Sequence, residues 1–311
     1  MKKRIITAVV LAAVLLPLVI LDHHKYPLVG HLFLAVGIIF SIIASFEIMS
    51  LFSKQHPSLG ILRLLVPFMS GTLVYTIYLA TTQGLSISDP AEASIVYHLL
   101  TMGLFILYVV IALGHAVFAR NSSGNDMMAS ILTLTYCGLL LGFVINIRFL
   151  EPFSDQDFVY FRGGRSFGYL YAIVFATDTF AYFIGSKFGR RKLCPEISLK
   201  KSVEGAIAGL IAGSIFGVAA VFLFKIARPV GTKEVLFTIL VSFFVSMLLS
   251  FAVQVGDLVA SKIKRTYDVK DFGKIFPGHG GVLDRFDSLI FSGAVYYIIV
   301  LFVKVIYIWS A

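Results

Sequence analysis

Apolar residues run along this chain in long unbroken blocks, without the two-residue alternation of a half-buried strand, and short polar stretches separate the blocks. A helix needs about 20 such residues to cross the hydrocarbon of a bilayer. At that length nine spans are predicted, at about 5–21, 29–51, 61–82, 95–118, 128–147, 166–186, 203–226, 234–258 and 286–308. The expected fold is an all-α integral membrane protein. Pro17 and Pro67 fall inside or near spans, where neighbouring helices can satisfy the freed carbonyls. Gly205, Ala206, Ala208, Gly209, Ala212, Gly213 and Ser214 crowd the seventh span, which suits close helix packing better than lipid exposure.

Composition strengthens this reading. Of 311 residues, 58% are hydrophobic and 14% charged, against about 25% charged in a soluble domain. Cys137 and Cys194 are too few for a disulfide framework, and no metal-type Cys/His spacing accompanies them. The net charge of +9 sits in short loops between spans, so anionic lipid and nucleotide are the expected partners, not nucleic acid. Met1-Lys2-Lys3-Arg4 ahead of the first apolar block resembles a signal peptide, but the many later spans favour a retained first helix. With the N-terminus in the cytoplasm, Lys54, Arg63, Arg120 and the clusters at 187–201 and 262–285 all fall on the cytoplasmic side, leaving the C-terminus outside. Residues 1–150 then form N-terminal packing and lipid-facing helices. Residues 151–311 form a C-terminal catalytic region with two polar cytoplasmic loops, at 187–204 and 259–287.

Three constellations could carry chemistry. On the eighth span and its exit, spacings of three and four put Gln254, Asp257, Ser261 and Lys264 or Arg265 on one helical face. A carboxylate inside a span costs about 2.5–3.5 kcal/mol on insertion scales and is expected to face a partner or a wet cavity; pairing of Asp257 with a helix-end Lys or Arg is the plainer alternative. The second constellation is His279-Gly280-Gly281-Val-Leu-Asp284-Arg285-Phe-Asp287. Asp284 suits the cap of the last helix and Asp287 follows three residues on, both at its positive end. Capping alone accounts for one Asp but not for the adjoining His-Gly-Gly and Arg285. Glycines there allow backbone N–H groups to approach an anion.

The third follows span six: Asp178 within the span, then Gly185, Lys187, Gly189 and Arg190 to Lys192, then Ser198-Leu-Lys200-Lys201-Ser202-Val-Glu204-Gly205. Arg190 to Lys192 read as a positive-inside anchor. Hydroxyls and ammonium groups just before a helix make Ser198 to Glu204 a phosphate cradle. Asp178, Asp257 and Asp284 are expected on one membrane face, and hard oxygen ligands select Mg²⁺ or a similar ion. Metal, Lys/Arg and glycine-rich backbone together equip a site for phosphoryl or nucleotidyl transfer. Glu47 is expected to pair with a basic residue such as Lys54 or one on another helix, a role in the site being the alternative, and His31, His98 and His115 are expected to be interior histidines without a ligand role.

These residues resemble a known family. Ser261-x-Ile-Lys264-Arg265, Lys270-Asp271-x-Gly273 and Phe276-Pro277-Gly278-His279-Gly280-Gly281-Val282-Leu283-Asp284-Arg285-Phe286-Asp287 look like the signature of phosphatidate cytidylyltransferases, or CDP-diacylglycerol synthases. Gly256-Asp257, Asp178 to Gly185 and Ser198 to Gly205 fit the same pattern, with Leu199 where the family usually has Pro. The resemblance implies an integral membrane enzyme converting CTP (or dCTP) and phosphatidic acid to CDP-diacylglycerol and pyrophosphate. It implies Mg²⁺, often with a monovalent cation such as K⁺, and Asp257 and Asp284 as metal-binding residues. Lys201 and Ser202 match phosphate contacts and Asp178 a further functional acid. Ser198, Lys200, Glu204, Ser261, Lys264, Arg265, Lys270, His279, Gly280, Gly281, Arg285 and Asp287 are the remaining candidates for substrate binding. A bacterial plasma membrane location follows, and a homodimer is compatible with it. A CTP-dependent enzyme acting on an archaeal diether phosphate or a polyprenol is the nearest alternative; a membrane cation or phosphate transporter is a more distant one.

Overall fold

A computed structural model describes residues 13, 15–22, 24–55, 60–82, 90–119, 122–151, 162–276, 278 and 280–310. Eight helices among these are long and apolar enough to cross a membrane: Pro27–Ser53, Leu62–Thr82, Val96–Phe118, Gly124–Phe149, Gly163–Phe188, Val203–Leu223, Thr232–Thr266 and Leu283–Ile306. They match the second to ninth expected spans; most of the first, 5–21, lies outside the described residues. The chain is a multi-pass, all-α membrane protein. It divides into two compact units, one of residues 1–149 with 267–286, the other of 150–266 with 287–311.

The first unit contains α1 (Pro27–Gln55), α2 (Leu62–Thr82), α3 (Pro90–Phe118) and a composite span. That span runs as α4 (Gly124–Thr133), a π-helical segment (Leu134–Leu140), α5 (Leu141–Asn146) and a 3-10 turn (Ile147–Phe149). Its core is apolar, with Ala44, Ile48, Val66, Leu73, Ile77 and Leu134 fully buried. Helices approach closely where side chains are small: a Cβ on Gly138 would meet Leu73 and the backbone of Ser70 at 2.9 and 3.2 Å. A π-segment displaces a carbonyl from its usual helical partner. Ser41 on α1 uses this, donating through Oγ to the Cys137 carbonyl at 2.8 Å. Arg148, just past the fifth expected span, is buried and donates to the carbonyls of Leu18 and Leu21, closing the end of a helical stretch at 15–20.

The second unit contains α6 (Gly163–Phe188), β1 (Lys192–Cys194), β2 (Ser198–Ser202), α7 (Val203–Leu223), α8 (Thr232–Thr266) and α9 (Leu283–Ser310) from Asp287 onward. Packing of α7 on α6 and α8 uses the small residues picked out in the seventh span. Cβ atoms at Gly205 and Gly209 would fall 2.6 and 2.8 Å from the carbonyl oxygens of Ala181 and Thr177, and those at Gly213 and Gly217 would strike the hydroxyls of Thr177 and Ser246. With backbones this close, hydroxyls bond across helices, Thr177 to Ser250 at 2.7 Å and Tyr169 to Ser246 at 2.8 Å. Such bonds and contacts substitute for the hydrophobic effect, which is lost between helices in lipid.

Two features depart from the sequence pattern. The polar stretch after α6 is not a simple loop: β1 and β2 pair antiparallel, with Lys192 opposite Ser202 and Cys194 opposite Ser198. Strands of 3 and 5 residues are too short to show a two-residue period against a run of Lys, Arg and Ser. In addition, α8 extends 35 residues to Thr266, about 52 Å at 1.5 Å per residue. Ser261, Lys264 and Arg265 are therefore helical, beyond the apolar part of the span.

Gly213→Val should be destabilising by about 1–3 kcal/mol through overpacking, read as a lower unfolding temperature in detergent. Gly114→Val, which meets nothing within 4 Å, should leave that temperature close to wild type.

Candidate active site

In the second unit the polar residues surround a cavity of about 600 Å³ lined by α6, the hairpin, α7 and α8. Its wall includes Asp178, Tyr182, Gly185 and Ser186 from α6, then Gly189. The hairpin adds Lys192, Leu193, Leu199, Lys200, Lys201 and Ser202; the helices beyond it supply Gly205, Ala206, Gln254, Asp257 and Leu258. At the cavity wall α6 and α7 touch at glycines near the hairpin. A Cβ on Gly185 would lie 2.9 Å from Ser202 Oγ, and one on Gly205 would lie 2.9 Å from Gly185 Cα.

Several of the side chains at and around this cavity are held by specific contacts. Lys201 Nζ lies 2.6 Å from Asp257 Oδ2, a half-exposed ion pair at the cavity wall. Ser261, one turn on, donates to Asp257 Oδ1 at 3.4 Å, as the four-residue spacing predicts. Gln254 donates to the Ala206 carbonyl at 3.1 Å and so fixes α8 against α7. Ser202 is the N-cap of α7, its hydroxyl accepting from the Gly205 amide at 3.2 Å. Glu204 turns away from the cavity: its carboxylate accepts from the backbone amides of Arg190 and Arg191 at 3.1 and 3.2 Å, locking the base of the hairpin. Lys264 Nζ approaches Asp287 Oδ2 at 3.8 Å.

Of the residues predicted from sequence, the second unit therefore brings together Asp178, Lys200, Lys201, Ser202 and Asp257 around one space. Ser198 lies at the start of β2, and Ser261, Lys264, Arg265 and Asp287 belong to the exit of α8 and the first turns of α9. Sequence reasoning missed Lys192, taken there as an anchor, and Tyr182, whose side chain carries no charge signal. The hairpin register sets Lys192 opposite Ser202, where it stays exposed at the edge of the cavity, and no such register was legible.

In the first unit, segment 267–286 holds the remaining candidates. Lys270 and Arg285 are exposed. Pro277 and His279 lie outside the described residues. Asp284, expected at the cap, sits one residue inside α9; its Oδ2 accepts from Phe272 N at 2.8 Å and Gly281 N at 2.9 Å. Gly280 has φ +86° and bonds through its carbonyl to Phe276 N at 2.9 Å. The cap of α9 comes instead from Glu47 on α1, whose two oxygens accept from Val282 N at 3.0 Å and Leu283 N at 3.1 Å. The expected basic partner for Glu47 is replaced by the positive end of a helix, which offers the same compensation through aligned amides. A lone carboxylate amid an apolar span was the signal that this residue had a fixed partner.

Two carboxylates beside one cavity, with hydroxyl and amide oxygens near, form a hard donor set suited to Mg²⁺, which binds through one or two carboxylates plus substrate phosphates. Among the described residues, no group of three or more His, Cys, Asp and Glu forms a complete cation cage, so bound phosphate oxygens would be needed to complete the coordination. A cavity with these groups, set among membrane-spanning helices, is suited to binding anionic phosphates.

The sequence profile of the Cytidylyltransferase family matches residues 2–303. A phosphatidate cytidylyltransferase of Bacillus subtilis is 32% identical over 304 residues, 97% of this chain and 98% of the relative. One from Staphylococcus haemolyticus is 33% identical over 61% of this chain and 75% of its own length, and one from Aquifex aeolicus 35% identical over 56% and 58%. The chain belongs to the cytidylyltransferase family and is a nucleotidyltransferase.

Glu204→Ala should release the Arg190 and Arg191 amides and loosen the hairpin. Limited trypsin digestion should then cleave between Lys187 and Lys201 faster than in the wild type, with the helical circular dichroism retained.

Proposed function

We propose that the protein transfers CMP from CTP to phosphatidic acid, releasing pyrophosphate and forming CDP-diacylglycerol for phospholipid synthesis at a bacterial plasma membrane. The observation that carries the reading is one cavity lined by Asp178 and Asp257 together with Lys192, Lys200 and Lys201, in a chain related along nearly its whole length to a phosphatidate cytidylyltransferase.

A phosphate monoester has its second pKa near 6, so phosphatidic acid is largely dianionic at neutrality and attacks without a protein base. The barrier is the approach of one anion to another. Lys192, Lys200 and Lys201 would neutralise and orient the phosphates, and the Ser202 hydroxyl at the start of α7 would add a polar contact at a positive helix end. Lys201 would exchange Asp257 for a substrate phosphate. The lipid phosphate would then displace pyrophosphate from the α-phosphorus directly and in line, with no covalent enzyme intermediate. Mg²⁺, with a monovalent cation such as K⁺ beside it, would supply Lewis-acid neutralisation of the developing charge. The family resemblance implies a metal-holding role for Asp257 and for Asp284; of these, Asp257 shares the cavity wall with Asp178, and Lys264, Arg265, Lys270 and Arg285 stand as the basic residues for further phosphate contacts.

Pyrophosphate release from purified protein should require phosphatidic acid and CTP or dCTP together, with ATP, GTP and UTP inactive. Pyrophosphate release with a diether phosphate in place of phosphatidic acid, or CDP release with a polyprenol as the phosphoryl acceptor, would redirect the assignment. Asp257→Asn and Asp284→Asn should each nearly abolish turnover while the protein remains inserted in the membrane; full activity in both would refute the metal assignment.

A further inference from the structure

The glycines of segment 267–286 do not all serve one purpose. Gly278 and Gly280 have φ of +77° and +86° and are required by backbone conformation. Gly273 and Gly281 adopt ordinary φ, yet a Cβ on either would collide with the carboxylate of Glu47. These two are glycine because Glu47 occupies the space a side chain would need. Glu47 is 7% exposed and accepts from Val282 N and Leu283 N. On the far side, Asp284 Oδ2 ties Phe272 N to Gly281 N. Both arms of the segment thus close on a single carboxylate from α1, and the residues immediately after those it holds are Asp284 and Arg285.

We propose that Glu47 is a positioning residue of the reaction: its carboxylate is the built-in anion around which segment 267–286 folds, and it sets how Asp284 and Arg285 are presented. This rests on the function proposed above. Glu47 touches neither substrate nor metal in this scheme and acts through the first turn of α9. The segment has separate means of staying attached to α1, because Phe40 meets Phe276 and Phe286 with ring centroids 6.3 and 5.8 Å apart and Phe52 meets Tyr267 at 4.6 Å. Loss of the carboxylate should therefore displace the helix start without releasing the segment.

The test is a double-mutant cycle on the full-length protein in lipid. Glu47→Ala should lower kcat about 10–100-fold, the range for lost outer-shell partners, with KM for CTP unchanged. Gly281→Ala should lower kcat comparably in the wild type but add little in the Glu47→Ala background, since the new methyl then has room; that non-additivity is the mark of direct contact. Hydrogen exchange should quicken at the Val282 and Leu283 amides in Glu47→Ala while the rest of α9 stays protected. Additive kcat losses, unchanged exchange at those amides, or losses confined to the yield and thermal stability of the protein with kcat per folded enzyme intact would each overturn the proposal. If the wild type proves inactive with every lipid phosphate, the functional assignment fails, and the exchange measurement alone still decides whether Glu47 sets the start of α9.

Discussion

A carboxylate buried within a membrane span has to be matched by hydrogen-bond donors, and the pairing of Glu47 with the amides of Val282 and Leu283 organises the polar end of the first unit. Helix starts carry unpaired N–H groups and a partial positive charge. An isolated carboxylate and an uncapped helix are each unfavourable at low dielectric, and together they cancel. The contact leaves no room for side chains at positions 273 and 281, and it leaves Asp284 to bond backwards to Phe272 and Gly281. The glycine-rich stretch is thus shaped by an anion belonging to the protein itself.

The second unit solves the opposite problem, keeping polar groups available inside an apolar bundle. Glycines at 185, 205 and 209 bring α6 and α7 to backbone contact, Gly213 leaves room for the hydroxyls of Thr177 and Ser250, and the cavity lies between these helices and the hairpin. Asp257 carries the ammonium of Lys201 as counter-ion. The pair is partly exposed, the two side chains keeping 26% and 34% of their surface in contact with water. Glu204 and Ser202, which stand in the same short motif as Lys200 and Lys201, instead hold backbone: Ser202 caps α7 and Glu204 binds the Arg190 and Arg191 amides. Within one run of residues, the basic groups face the cavity and the oxygen acceptors build its frame.

What the sequence determined by itself is what depends on local composition. Long apolar blocks have one stable solution in a bilayer, the helix with all its backbone bonds satisfied internally, and eight of the expected spans stand where the pattern put them. The face shared by Asp257 and Ser261, and the close packing of the seventh span, likewise follow from helical periodicity. Tertiary structure decided what depends on partners distant in the chain. Glu47 and Val282 are separated by 235 positions, and no local signal says that the charge expected to meet Glu47 is a helix end and not a lysine. The hairpin, the place of Lys192 at the cavity and the reason positions 273 and 281 lack side chains arise the same way, because register and steric exclusion are properties of two segments brought into contact and neither segment carries them alone.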